Sequence, residues 1–172
     1  MLTVALSPDF RAAERIAQLL VQVSGRAGRA DKPGKVLIQT HHTEHPWLRL
    51  LFDHSYRTLI EEVLDDRRNS GLPPFGHLAI LHADSTSAKT ASTFLSRVVD
   101  TIASEAKAVS LIGPVPAYPA RRANRHRFQL ILKSGTRKPL HETLEIISTM
   151  LETRATDSSL RWHIDVDPID GF

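Results

Sequence analysis

The stretch from His77 to Val166 constrains the fold most, because its hydrophobic periodicity changes in a fixed order and does so twice. His77-Leu78-Ala79-Ile80-Leu81-His82-Ala83 alternates as a strand does. From Ser87 to Lys107 the period lengthens, with Ala88, Ala91, Phe94, Leu95, Val98 and Ile102 on one helical side. Val109 to Val115 reads as a short strand ending at Gly113-Pro114, and 116–124 as a loop. Arg127 to Lys133 alternates strongly, Pro139 to Glu152 is helical with Leu140, Leu144, Ile147 and Leu151 inward, and Arg161 to Val166 closes as a strand. This β-α-β-β-α-β order is the ferredoxin-like split, an α+β domain over 77–172. Right-handed crossovers then give a four-stranded antiparallel sheet with both helices on one face and the other face free for a partner.

Residues 1–76 hold less. Leu2 to Leu6 could be a short strand, and Ser7-Pro8-Asp9 signals a helix start. The helix that follows places Phe10, Ala13, Ile16, Ala17 and Leu20 on one face, with Val23 extending it. Asp31-Lys32-Pro33-Gly34 is a turn, and Lys35 to Thr40 reads as a buried strand. From Trp47 to Asn69 a helical region carries a stripe of Leu48, Leu51, Tyr56, Ile60, Val63 and Leu64. Its Asp65-Asp66-Arg67-Arg68 run reads as a solvated face, and Gly71 ends it. Leu72-Pro73-Pro74-Phe75-Gly76 is then a rigid corner. The segment 1–40 is too small to bury a core of its own.

The chemistry-bearing motif of that first segment is Gln22-Val23-Ser24-Gly25-Arg26-Ala27-Gly28-Arg29. Arg26 and Arg29 can reach one point from a helical turn, Gln22 joins them from the turn before, and Gly25 and Gly28 allow a close backbone approach. Guanidinium forks suit phosphate oxygens, and an arginine aimed at a γ-phosphate is an arginine finger. The segment resembles the sixth signature motif of superfamily 2 helicases. On that resemblance, 1–40 is expected to be the α/β tail of a RecA-like helicase lobe, and 41–76 a helical linker. The phosphate cradle is not found: Gly28 to Gly34 followed by Lys35 has one residue too many between its glycines, and Val36 stands where Ser or Thr is required.

Composition removes several alternatives. There is no cysteine among the 172 residues, which excludes disulfides, thiolate metal sites and a cysteine nucleophile. No apolar run has the length of a membrane span, and the N-terminus lacks the features of a signal peptide, so a cytoplasmic protein is expected. His41-His42-Thr43-Glu44-His45-Pro46 offers metal ligands, but Pro46 disfavours helical geometry at His45 and no second element holds them. We read it as a polar loop and expect no metal site. Net charge is only +3, with a pI of about 9.5, so the placement of charge matters more than its sum. Arg121, Arg122, Arg125 and Arg127 fall within seven residues, with Tyr118 just before them and Pro114, Pro116 and Pro119 stiffening the approach. Exposed arginines suit a sugar-phosphate backbone, and one aromatic can stack on a base. The same residues could instead serve solubility or an interface with another part of the protein, and it is the arginine motif upstream that favours nucleic acid.

Several ordered segments together resemble one family. They are Asp9 to Arg15, Gln18 to Arg29, Gln39-Thr40-His41-His42, Leu72 to Phe75, Gly113-Pro114-Val115-Pro116-Ala117 and Asp165-Val166-Asp167-Pro168. The chain resembles the C-terminal part of the primosomal protein N-prime family, the replication-restart helicases of bacteria. The resemblance implies a 3′-to-5′ ATP-dependent DNA helicase that recognises abandoned forks and assembles a primosome. Gln22, Arg26 and Arg29 would face ATP and magnesium held by another lobe, with Gly25 and Gly28 shaping their turn. The last domain would be ferredoxin-like and help bind forked or single-stranded DNA, here through Tyr118, Arg121, Arg122, Arg125 and Arg127. Single-stranded-DNA-binding protein and other primosome proteins would be partners, with Arg137 a contact for the acidic tail of the former. His141 stands where glutamine is expected, and Ser24 where alanine is usual. The family's N-terminal DNA-binding domain, first helicase lobe and zinc-holding cysteines are not in this sequence. A truncated, broken or separately encoded gene product is therefore expected, inactive as an ATPase alone. The alternatives are a stand-alone ferredoxin-like protein-interaction module with neither DNA nor ATP activity, and a histidine-based metal enzyme.

Overall fold

The computed structural model describes residues 11–27, 37, 39, 46, 49, 56–153 and 158–169, and of 24–27 the backbone only. It divides into two compact units, Met1–Asp66 with Gly171, and Arg67–Asp170 with Phe172. The expected strand at 2–6, the helix start at 7–9 and the histidine segment 41–45 lie outside the described residues.

In the first unit, helix α1 spans Ala12–Ala27, and helix α2, Tyr56–Ser70, begins here and ends in the second unit. Ala13 and Ala17 form a small buried cluster with Leu59 and Val63. Alanine adds no rotamer entropy cost and lets backbones approach, but such a cluster buries little apolar area. Two expectations fail here. Val23 is 47% exposed and does not extend the buried face. Leu37 and Gln39, the described residues of the expected buried strand 35–40, belong to no strand, and Leu37 is 86% exposed. A strand is held by a hydrogen-bonded neighbour, and among the described residues of this unit there is none.

The second unit opens with the end of α2. Gly71 takes φ +60, the Leu72 N–H donates to the Arg67 carbonyl at 2.8 Å and the Gly71 N–H to the Arg68 carbonyl at 3.2 Å. These two bonds make a Schellman cap, which favours glycine at the left-handed position. Arg67 is buried, against the expected solvated face, because it lies under the proline corner and donates to the Pro73 carbonyl at 3.5 Å. Asp65, Asp66 and Arg68 are exposed as expected.

Four strands and two helices follow: β1 His77–Ser85, α3 Ala88–Ile102, β2 Ser110–Arg122, β3 Arg125–Ser134, α4 Arg137–Glu152 and β4 Arg161–Val166. The sheet order is β2-β3-β1-β4 with every neighbouring pair antiparallel, the arrangement the β-α-β-β-α-β reading predicts. Ser87 caps α3, its hydroxyl accepting from the Thr90 N–H at 3.3 Å. Alternate sheet residues Ala79, Leu81, Ala83, Leu130 and Leu132 pack against Ala91, Leu95, Val98 and Ile102 of α3 and Leu140, Ile147 and Leu151 of α4. Full burial of each leucine or isoleucine there contributes about 1.5–3 kcal/mol.

The opposite sheet face is not wholly free. Leu78 and Ile80 on it are fully buried and Ile131 nearly so. Lys133 on that face donates to the Ser70 carbonyl at 2.8 Å, so the end of α2 lies along it. A further correction concerns the expected loop 116–124, of which 116–122 belong to a strand and Ala123 and Asn124 form the turn. β2 continues through Pro116 and Pro119 to Arg122, with register shifts between Ile112 and Val115 and between Pro116 and Arg121. The physical reason is position. β2 is the first strand of the sheet, and an edge strand tolerates prolines on its unpaired side and at bulges.

Candidate nucleic-acid interface

The arginine cluster is built on the β2–β3 hairpin. Ala123 and Asn124 both take positive φ, 48° and 61°, the two-residue type I′ turn that matches strand twist. Arg122 then pairs with Arg125 and Arg121 with His126 across the hairpin. Asn124 suits the left-handed position, and its Oδ1 also accepts from Arg121 Nη2.

The cluster divides by exposure. Arg121 and Arg122 are exposed at the tip, and Tyr118 is 62% exposed. Arg125 turns inward. It forms an ion pair with Asp84, and its Nη2 donates to the Asp84 carbonyl at 2.8 Å and the Ser159 carbonyl at 2.5 Å. Arg127 lies at intermediate exposure and donates from Nη1 to the Tyr118 and Pro119 carbonyls, each at 3.4 Å. Those two bonds hold the outer strand where Tyr118 projects. Arg121, Arg122 and Tyr118 are thus the groups presented to solvent, whereas Arg125 and Arg127 position the hairpin.

This division has a measurable consequence. Replacing Arg125 with methionine leaves the Asp84 carboxylate without its partner at a site where the two side chains are 17% and 27% exposed. Urea unfolding is expected to show a loss of about 2 kcal/mol, below the cost of a fully buried pair. Arg122→Ala, at an exposed position, should stay within about 0.5 kcal/mol. Equal losses would contradict the division.

The residues expected to face ATP are placed in part. Gln22 is exposed on α1, and the helix continues through Gly25 and Arg26 to Ala27. Gln22 and Arg26 are therefore one turn apart on continuous helical backbone. Gly28 and Arg29 lie outside the described residues. Arg137 opens α4, is exposed, and stands 3.9 Å from Asp167.

Sequence reading missed four groups on the sheet face opposite α3 and α4: Asp84, His82, His163 and Arg161. His82 and His163 pair across β1 and β4 and their rings stack, centroids 4.6 Å apart and planes at 16°. Burial pushes His82 down to about 4, the neighbouring His163 and Arg127 add to this, and Asp165 opposes it. The signal was present in the alternation of Leu78, Ile80, His82 and Asp84 on one side of β1, which marks a face turning from apolar to polar.

Among the described residues no helix is long and apolar enough to cross a membrane. Comparison with known proteins adds the following. Residues 68–169 match the family described as the primosomal protein N C-terminal domain. The chain is 40% identical over 166 residues to the replication restart protein PriA of Haemophilus influenzae, covering 95% of this chain and 22% of that protein. It is 35% identical to the protein of the same name from Synechocystis sp., covering 94% and 19%, and 32% identical to that of Bacillus subtilis, covering 94% and 20%. The chain spans about a fifth of the length of these curated relatives.

Proposed function

This chain belongs to the primosomal protein N C-terminal domain family, and on that premise we propose that it is the DNA- and partner-contacting C-terminal part of an ATP-dependent 3′-to-5′ DNA helicase that restarts replication at abandoned forks. The observation that carries the reading is the alignment of nearly the whole chain with relatives named replication restart protein PriA. The geometry of the hairpin supports it. Two exposed arginines and an exposed tyrosine project from a turn held by Arg127 and anchored by Arg125, as backbone contact with DNA requires.

In this reading 77–172 is the ferredoxin-like domain, 41–76 a helical linker, and 1–40 the tail of a RecA-like lobe. Gln22, Arg26 and Arg29, with their turn shaped by Gly25 and Gly28, face ATP and magnesium held by another lobe. The arginines there stabilise charge on the transferred phosphoryl group. Arg137, beside the positive end of α4, meets a carboxylate of an acidic partner tail such as that of single-stranded-DNA-binding protein. The cytoplasm is the compartment in which such a protein works.

Two results test this. In competition anisotropy the chain is expected to prefer a forked DNA over a plain duplex of equal length, and equal affinity would remove the branch-recognition part. The purified chain is expected to show no DNA-stimulated ATP hydrolysis, since no phosphate-loop sequence is present to hold the β- and γ-phosphates. Turnover above background that Arg26→Ala abolishes would overturn the shared-site assignment.

A further inference from the structure

The sheet face turned away from α3 and α4 carries a polar grid that the hairpin reading leaves unused. Its rows follow from the strand register. Arg127, Asp84 and Arg161 stand side by side across β3, β1 and β4; the next row is Gln129, His82 and His163; the next is Ile131, Ile80 and Asp165. Paired side chains on one face lie about 5 Å apart at Cβ, and successive rows about 7 Å apart.

The first row is electrostatically unbalanced. Asp84 is already paired with Arg125, and Arg127 and Arg161 flank it in register. This end of the face carries three arginines against one carboxylate, so positive charge remains, and Arg161 carries it at an exposed position. The second row supplies a flat surface. His163 stacks on His82, β4 is the last strand of the sheet, and His163 is exposed. The ring face of His163 away from His82 is therefore presented beyond the sheet. Asp165, two residues along β4, is the acidic group of the third row and lies on the side of His163 opposite Arg161.

We infer that this face binds single-stranded nucleic acid, one base stacking on the outer ring face of His163 and an adjoining phosphate meeting Arg161. Stacking tolerates any base because every base has a π-face, and it combines with cations along the backbone. A duplex does not meet this requirement, since its bases already stack on one another. A phosphorylated peptide would use the arginines and leave the stacked rings without a role. His82, held neutral by burial, supports the ring from behind without adding charge to the stack. The inference rests on the reading that this chain contacts DNA, and it adds a strand-specific subsite to the hairpin.

The test is fluorescence anisotropy of the full chain with a labelled oligo-dT of about 15 nucleotides and with a duplex of the same length. His163→Ala is expected to weaken oligo-dT binding about fivefold or more and to leave duplex affinity within about twofold, and His163→Trp should restore it. Arg161→Gln should weaken oligo-dT binding and reduce its salt dependence. Unchanged oligo-dT affinity for His163→Ala would overturn the inference. Wild-type binding to duplex but not to oligo-dT would overturn it while sparing the hairpin reading, and binding to neither would overturn both.

Discussion

Gly113→Ala is expected to destabilise the second unit by about 2–6 kcal/mol. Gly113 takes φ +126, a region that side-chain-bearing residues enter only with strain of order 1–3 kcal/mol. A Cβ there would also stand 2.7 Å from the Gln129 carbonyl oxygen and 3.1 Å from the Val115 nitrogen. Both are backbone atoms of the sheet, so they cannot swing aside as a side-chain end would, and relieving the overlap costs a further 1–3 kcal/mol, roughly. The position matters for function because the register shift between Ile112 and Val115 sets the alignment of β2 with β3. The hairpin arginines lie at the far end of that alignment. Gly135→Ala is the control: a Cβ at that site has nothing within 4 Å, and the change should stay within about 0.5 kcal/mol. Urea denaturation of both variants measures the contrast, and a Gly113→Ala loss below about 1 kcal/mol would contradict it.

Reversing the two tip charges, Arg121→Glu with Arg122→Glu, is expected to lower affinity for forked DNA at least about tenfold at low salt. The two cations become two anions at the part of the hairpin that reaches solvent. The fold should tolerate the change. Among the described residues Arg121 bonds locally, to Asn124 on the same turn, and exposed substitutions of this kind shift stability by about 0.5 kcal/mol or less. A parallel melting curve therefore separates lost binding from lost structure. Arg125→Met makes the complementary case, with a stability loss and a smaller, indirect effect on binding. If the double reversal binds forked DNA as the unmodified chain does, the hairpin tip is not the contact.

The sheet domain was legible from the chain because its two periods, near two and near 3.6, alternate cleanly from His77 to Val166. The strand order then followed from connection rules. What misled was local chemistry judged without its tertiary setting. Pro114, Pro116 and Pro119 signal a loop, yet an edge strand accepts them, so β2 runs on to Arg122. Arg67 and Arg125 looked like surface charges in basic runs. One lies under a corner formed six residues later, and the other pairs with Asp84, 41 residues earlier in the chain. A charge reveals nothing in sequence about a partner that only folding brings near. The stacked histidines were hidden for the same reason, since their pairing depends on β4 lying beside β1. The motif around Arg26 and Arg29 remains readable only as residues, because its second half falls outside the described part of the chain.

The central claim is that this chain contacts the DNA backbone through the exposed hairpin cations. Its most direct test is the affinity of the full chain for forked DNA at 50 and 200 mM salt, between which the Debye length falls about twofold. With two to three phosphates neutralised, the account predicts a loss of about ten- to fortyfold across that interval. It also predicts a shallower slope, by about two, for the Arg121→Glu, Arg122→Glu variant. Affinity that does not change with salt, or no binding at the lower concentration, would contradict it.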